Sequence, residues 1–404
     1  MQKIYRSAIV GGGAAGLMAA VELTRGENPF KGGDVVILEK NDRVGKKLIA
    51  TGNGQGNLTN ASIKSQNYYG DKDFINSFLS SLEKVDLVGY LEKLGIYLTC
   101  DKQGKMYPLS KQASAVLDII RANLKDSGVS ETTNSEVKDI KYKNGAFEII
   151  TKDQTYYSKS VVLATGGAAA KQFGTDGTAY RLAQRFDHTL TKVYPSLVQL
   201  KTDTTLIRAL KGLKETARVV AKVDGKEIKS ATGDLLFTEF GVSGSSIFSL
   251  SAGVTDKENV SLKIEFLPEL SLSEVQNLLE QREKIGYFDR ENLLTGIINK
   301  RVGQAVLKTA KSGSAKDVAF ALKNFTLKVT GNLGFNYAQV TKGGIRTAEV
   351  NPASMQSRMQ KGLYIVGETL DIDGDCGGYN LTFAFVSAIL AARAIKENKG
   401  YLAN

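Results

Sequence analysis

Gly11-Gly12-Gly13-Ala14-Ala15-Gly16 is the stretch that decides the fold, because of what stands on either side of it. Ile4–Val10 before it is a short, apolar, β-branched run and reads as a buried parallel strand. Residues 14–25 after it place Ala, Leu, Met and Val at helical spacing, and residues 34–39 (DVVILE) read as a second buried strand. The three together make a βαβ unit. In such a unit Gly11 permits the sharp turn, Gly13 lets a pyrophosphate approach the backbone, and Gly16 lets the helix pack on the strand. Ala14, Ala15 and Gly16 open a helix whose unpaired N–H groups and positive dipole end suit phosphate. Glu39 closes the second strand, where a carboxylate accepts from the ribose hydroxyls of an adenosine and repels a 2′-phosphate.

Two later segments separate FAD from NAD. Residues 160–164 (SVVLA) read as a buried strand ending in Thr165-Gly166-Gly167, and residues 363–366 as another, ending in Gly367-Glu368. A flavin dinucleotide must be held at both ends, so a chain that grips adenosine early and returns late to a second Gly-acid turn fits FAD. Val137, Ala164, Thr165 and Gly166 are read as further cofactor contacts.

Between these landmarks, residues 40–60 form a Gly-rich ordered loop, and residues 74–94 and 114–124 look helical. Residues 136–157 alternate as a small meander around Lys143-Asn144-Gly145. From about Pro195 the pattern changes. Residues 216–237 look like antiparallel strands turning at Asp224-Gly225, Val260–Phe266 is a further strand, and residues 273–323 are mostly helical behind a Ser271/Glu274 capping signature. Residues 371–380 read as an acidic, Gly-rich loop, and residues 381–396 as a closing helix. The expected division is 1–194 and 335–404 for the nucleotide-binding domain, with 195–334 as an inserted substrate domain.

Composition narrows the class. The 404 residues are 42% hydrophobic and 24% charged, those of a globular protein of two domains. Cys100 and Cys376 are the only cysteines and stand in no paired motif, which suits a reducing cytoplasm. The apolar run 8–23 is interrupted by Gly11, Gly12, Gly13 and Gly16, and 384–394 is short, so neither a signal peptide nor a membrane span is expected. The net charge of +11 comes from scattered lysines without an aromatic-interleaved block, so no nucleic acid is expected as partner. His188 is the single histidine and reads as a packed or capping residue; no metal site is expected. Nothing in the sequence sets an oligomeric state.

At this point the chain resembles the bacterial NAD(P)/FAD-dependent oxidoreductases grouped with aminoacetone oxidase and the flavin-dependent bile-acid ring reductases. The resemblance runs through GGGAAGLMAA from Gly11, LEKNDRVGKKLIATGNGQGNLTN from Leu38, ATGG from Ala164, GDLLFTEFGVSG from Gly233, VTKGGI from Val340 and VGETLDIDGDCGGYNLTFAF from Val366. It implies an α/β fold: a Rossmann-type, glutathione-reductase-like FAD-binding domain interrupted by a β-rich, barrel-like and helical insert. It puts Glu39 and Lys40 at the adenosine, and Lys47, Thr51, Gly52 and Asn57 along the flavin's path. Gly367, Glu368, Gly378, Tyr379, Asn380 and Leu381 would close over the pyrophosphate and the ring. The family's usual Gly-Arg-Cys-Asn is here Gly54-Gln55-Gly56-Asn57, so an arginine and a cysteine are missing from the flavin's neighbourhood.

The implied activity is transfer of hydride from transiently bound NAD(P)H through flavin N5 to an unsaturated small organic substrate. An oxidase of an amine or amino ketone using O₂ is the alternative, and a flavin-containing RNA-binding protein a remoter one. Tyr379, Lys342 and Asp373 head the candidate proton donors, with Tyr337, Asp371 and Asp375 behind them. Each has a plain structural reading: packing for Tyr379, solvated surface for Lys342, and a loop binding its own backbone for the aspartates. Residues 238–246 (TEFGVSGSS) are either a substrate wall or a tight connection.

Overall fold

The computed structural model describes residues 3–286, 288 and 291–398, and divides the chain into two compact units. One is Met1–Tyr194 together with Val340–Asn404; the other is Pro195–Gln339.

In the first unit Ile4–Val10 lies between Val35–Leu38 and Thr155–Leu163, parallel to both. Ser130–Thr132 extends the sheet beyond Val35–Leu38, and Leu363–Ile365 pairs in parallel with the far half of Thr155–Leu163. The register aligns Val10 with Leu38 and with Leu163, and Leu163 with Ile365. Four strand ends therefore share one edge. Ligands of open parallel sheets bind outside such carboxyl ends.

The strand expected over 160–164 is the end of a longer one, Thr155–Leu163. Its first half pairs antiparallel with Ala146–Thr151, so the meander and the parallel sheet share a single strand. The helical stretch 74–94 is two helices, Lys72–Val85 and Leu87–Lys93, broken at Asp86. Asp86 takes the left-handed conformation (φ 46°) that aspartate tolerates, and its carboxylate accepts from the Gly89 N–H at 3.2 Å, capping the second helix. Within the expected loop 371–380, Ile372–Gly374 pairs with Tyr68–Gly70.

The first helix, Ala14–Thr24, is apolar on nearly every side, with Leu17, Met18, Ala19 and Ala20 all fully buried. It packs against the strands and against the closing helix Tyr379–Glu397. Glu22 on the first helix and Lys396 on the last are buried together, with Lys396 Nζ donating to Glu22 Oε1 and to the Arg25 carbonyl, both at 2.8 Å.

The second unit is a closed six-stranded barrel. Its order is Leu200–Thr202, Gly241–Ser243, Lys226–Phe237, Lys214–Val223, Val260–Phe266 and Phe325–Asn332, which returns to the first. Asp224 (φ 49°) and Gly225 (φ 79°) supply the two left-handed residues of a tight hairpin between Val223 and Lys226. The stretch 273–323 resolves into Leu272–Glu283, Lys300–Leu307 and Ala315–Lys323. Ser271 and Glu274 form the expected capping box; residues 287, 289 and 290 of that stretch lie outside the described residues.

His188 is buried in the first unit, its Nδ1 3.1 Å from Glu349 Oε2 and its Nε2 2.7 Å from Ser357 Oγ. Burial lowers its pKa below the ordinary 6.5, and the Glu349 carboxylate opposes that shift. Because the folded value is the lower one, the unfolded chain takes the proton first. This contribution to stability is present above pH 6.5 and is lost as the pH falls through the folded value. NMR of the single imidazole is expected to titrate below 6.5; a midpoint at or above it contradicts the assignment.

Candidate functional site

The turn after the first strand is forced to be glycine. Gly11 has φ +105°, and a Cβ there would stand 2.4 Å from the Ala164 carbonyl oxygen. A Cβ on Gly16 would stand 1.9 Å from the Gly11 carbonyl oxygen, so the helix lies tight on the turn. At Gly13 the same construction meets nothing within 4 Å, which leaves that face open. Gly13 is also the N-cap of Ala14–Thr24, no side chain caps the helix, and its first turn holds no acid. The open, uncapped, positive helix end suits a pyrophosphate. Gly12 has no room for a side chain, since its Cβ would meet Val44 at 2.6 Å and Glu39 Oε2 at 3.2 Å.

Glu39 follows the second strand and is buried. Its Oε2 accepts the Gly12 N–H at 2.8 Å, and its Oε1 accepts the Asn41 N–H at 2.8 Å and Asn41 Nδ2 at 2.7 Å. A carboxylate offers about four lone-pair sites, so one, on Oε2, remains open to a further donor. Lys40 beside it pairs with Asp176 at 3.2 Å. Val137 stands two residues past Ser135, whose N–H donates to the Glu39 carbonyl at 2.8 Å, which keeps it near the same end.

The other strand ends converge on a second carboxylate. Glu368 Oε2 accepts Lys47 Nζ at 2.6 Å, and its Oε1 accepts the Thr341 N–H at 2.9 Å. The buried Thr341 hydroxyl in turn accepts the N–H groups of Ala168 and Ala169, at 2.8 and 3.0 Å. Lys47, Glu368, Thr341, Ala168 and Ala169 are thereby one hydrogen-bonded group, just past the strand end at Leu163. Thr165 Oγ1 lies 3.3 Å from Thr369 Oγ1, and the Gly367 N–H donates to Ser387 at 3.0 Å.

The loop from Thr51 is left-handed at Gly52, Asn53, Gly54 and Gly56, and exposed from Gly52 to Gln55. Thr51 Oγ1 donates to the Leu48 carbonyl at 2.6 Å, and Asn57 Nδ2 to the Thr59 and Met106 carbonyls, both at 3.2 Å, so these side chains hold the loop. Gly56 has φ +76°, and a Cβ there would lie 3.1 Å from Ala113 Cα. The backbone itself therefore disfavours a cysteine at that position.

Gly378 is the N-cap of the closing helix, with φ +95° and a Cβ position 2.3 Å from the Thr59 carbonyl oxygen. Asn380 stitches the preceding loop: Oδ1 accepts the Gly374 N–H at 2.8 Å and Nδ2 donates to the Gly374 carbonyl at 2.9 Å. Leu381 packs, partly buried, on the core.

Tyr379 is buried; its hydroxyl donates to the Ser62 carbonyl at 3.4 Å, and burial raises its pKa. Asp373 is 1% exposed on the strand facing Tyr69. Lys342 Nζ sits 5.9 Å from the Tyr69 ring centre, and the Tyr69 hydroxyl donates to Asp375 at 3.0 Å. Burial raises Asp371, against a hydrogen bond from Thr191 and the charges of Lys342 and Arg346. Tyr337 belongs to the barrel unit and is 61% exposed. Asn41 and Thr341 stand inside motifs of the family resemblance, but their roles and that of Tyr69 were missed because each also bonds a partner far along the chain. No group of three or more His, Cys, Asp or Glu side chains among the described residues could hold a metal ion.

The donor set fits a dinucleotide: an open helix end for phosphates, a carboxylate with one free lone pair for a ribose, and a second carboxylate with its lysine at the neighbouring strand ends. No helix among the described residues is long and apolar enough to cross a membrane. Comparison with known proteins agrees with this reading. The HI0933-like protein Rossmann domain matches residues 5–394. The 3-dehydro-bile acid delta(4,6)-reductase of Clostridium scindens is 34% identical over 97% of this chain and 99% of its own. A ribosomal RNA dihydrouridine synthase of Haemophilus influenzae is 24% identical over 98% of this chain and all of its own. In fold, the chain is similar to 3-ketosteroid-delta4-(5alpha)-dehydrogenase of Rhodococcus jostii, with TM-score 0.52, 16% identity and 98% of each chain covered.

Proposed function

The chain belongs to the HI0933-like Rossmann-domain family, and from that premise we propose that it reduces a carbon–carbon double bond in a small unsaturated organic substrate, with NAD(P)H as electron donor. It is an FAD-dependent oxidoreductase. The observation that carries the finer reading is the 34% identity to a reductase over nearly the whole of both chains.

Bound FAD supplies the two-electron redox chemistry. The protein's share is to bind, orient and protonate. The N–H groups opening Ala14–Thr24 would hold the pyrophosphate, with Gly11, Gly13 and Gly16 giving the close approach. Glu39 would take one ribose hydroxyl, Lys47 would stand along the flavin's path, and Glu368, paired with it, would help close over the pyrophosphate and ring. The positive end of the Tyr379–Glu397 helix would offset negative charge on the ring system. The proton for the substrate comes from Tyr379, Lys342 or Asp373, of which Lys342 is the least enclosed. We assign the chain 195–334 to substrate recognition.

Anaerobic mixing of the holoenzyme with NADH or NADPH tests this. Flavin absorbance is expected to bleach within the turnover time and to return when an α,β-unsaturated ketone is added. Absence of bleaching, with peroxide formed from amines in air, would replace the reductase by an oxidase.

A second reading takes an RNA uridine as the unsaturated group. The dihydrouridine synthase relative favours it. It requires salt-sensitive retention of RNA at physiological ionic strength, and a chain that passes RNA through unretained excludes it.

A further inference from the structure

Glu39 is fastened to a segment more than a hundred residues away through one side chain. Asn41 Nδ2 donates both to Glu39 Oε1 at 2.7 Å and to the Phe173 carbonyl at 3.2 Å. Phe173 ends a single 3₁₀ turn, Lys171–Phe173, entered at Ala170 (φ 62°) and left at Gly174 (φ 94°). Gly174 is shaped to Asn41: a Cβ there would lie 2.5 Å from Asn41 Nδ2 and 2.8 Å from Oδ1. Asp176 makes a second fastening. Its Oδ2 takes Lys40 Nζ at 3.2 Å, while its Oδ1 accepts the Thr178 N–H and hydroxyl at 3.0 and 2.7 Å. Residues 171–178 are thus pinned at two points to the two residues following Glu39.

We propose that Asn41 is the positioning residue of the adenosine end of the cofactor site: it fixes the Glu39 carboxylate and couples it to residues 171–178, which form a strap retaining the adenosine. The proposal rests on reading this edge as an FAD site. The lone-pair count gives the coupling its consequence. With both Oε1 sites filled by Asn41 and one Oε2 site by Gly12, only one direction is left open, so the ribose is read in a single orientation. Without the amide of Asn41 the carboxylate keeps the Asn41 and Gly12 N–H groups but gains a second open direction, and the strap loses its inner fastening. Lys40–Asp176 is part-exposed and holds the strap only weakly by itself.

The test compares wild type with Asn41→Ala and Asn41→Asp as holoenzymes, following FAD release by fluorescence and amide hydrogen exchange over residues 171–178. Losing a hydrogen bond to a charged group should speed FAD release roughly tenfold, with Asn41→Asp at least as fast because it sets a second carboxylate against Glu39. Exchange over 171–178 should rise in both. Asp176→Asn keeps the bonds within the strap and should raise the same exchange with release changed less than roughly threefold. FAD release at the wild-type rate in Asn41→Ala, or unchanged exchange over 171–178, overturns the proposal. A purely structural role would lower the melting temperature without a selective rise in that segment. A wild-type chain that takes up no FAD overturns the cofactor reading itself.

Discussion

Substitution of Lys396 by alanine is expected to destabilise the nucleotide-binding unit by about 3–5 kcal/mol, because it leaves a buried carboxylate without its ammonium partner. Glu22 is 5% exposed and Lys396 4%, and the lysine also donates to the Arg25 carbonyl. Arg393 Nε, 3.5 Å from the same carboxylate, offsets part of the loss and draws the expected value toward the lower end. The paired change Glu22→Met with Lys396→Met removes both charges and fills similar volume, so it should cost far less than the single substitution. Urea denaturation of the three proteins decides this. A double variant as unstable as Lys396→Ala would mean that the intact pair is itself stabilising and that the loss is not the cost of an unpaired buried charge.

Glu39→Ala is expected to weaken FAD binding roughly tenfold to a hundredfold, the worth of one hydrogen bond to a charged acceptor. The geometry adds a second effect. The same carboxylate satisfies the Gly12 N–H and both donors of Asn41, so apo stability should fall as well. Affinity measured by flavin titration and stability measured on the apo chain separate the two. Unchanged affinity, whatever the stability, removes Glu39 from the adenosine.

The βαβ unit was legible because its signals are local. Strand, glycine turn, helix and acid occupy residues 4–39 without interruption, and each has its own periodicity or backbone requirement. The barrel hairpin was legible for the same reason, from Asp224-Gly225 between alternating strands. The family resemblance, carried by long motifs at both ends, agrees with the matched family and with the reductase relative. What escaped was decided by distant partners. Thr155–Leu163 changes neighbours midway, from an antiparallel strand next in sequence to a parallel one far downstream, and no periodicity marks the switch. Ile372–Gly374 is three residues long, too short to show alternation. Thr341 and Asn41 are ordinary polar residues in sequence; their partners lie 173 and 132 positions away.

The pairing of Val161 with Leu363 has a consequence for synthesis on the ribosome. The barrel, Pro195–Gln339, is one uninterrupted stretch whose strands find partners within it, so it can close as soon as it has emerged. The parallel sheet must wait about two hundred residues for its last strand, and its first helix waits roughly 350 residues for the closing helix that covers it. During that interval the apolar faces of Leu17, Met18 and Val162 lack their final cover. Nascent chains halted once Gln339 has cleared the ribosome should therefore hold a protease-resistant barrel beside a protease-sensitive first half, and Val340–Asn404 then acts as the lock that makes the earlier half permanent.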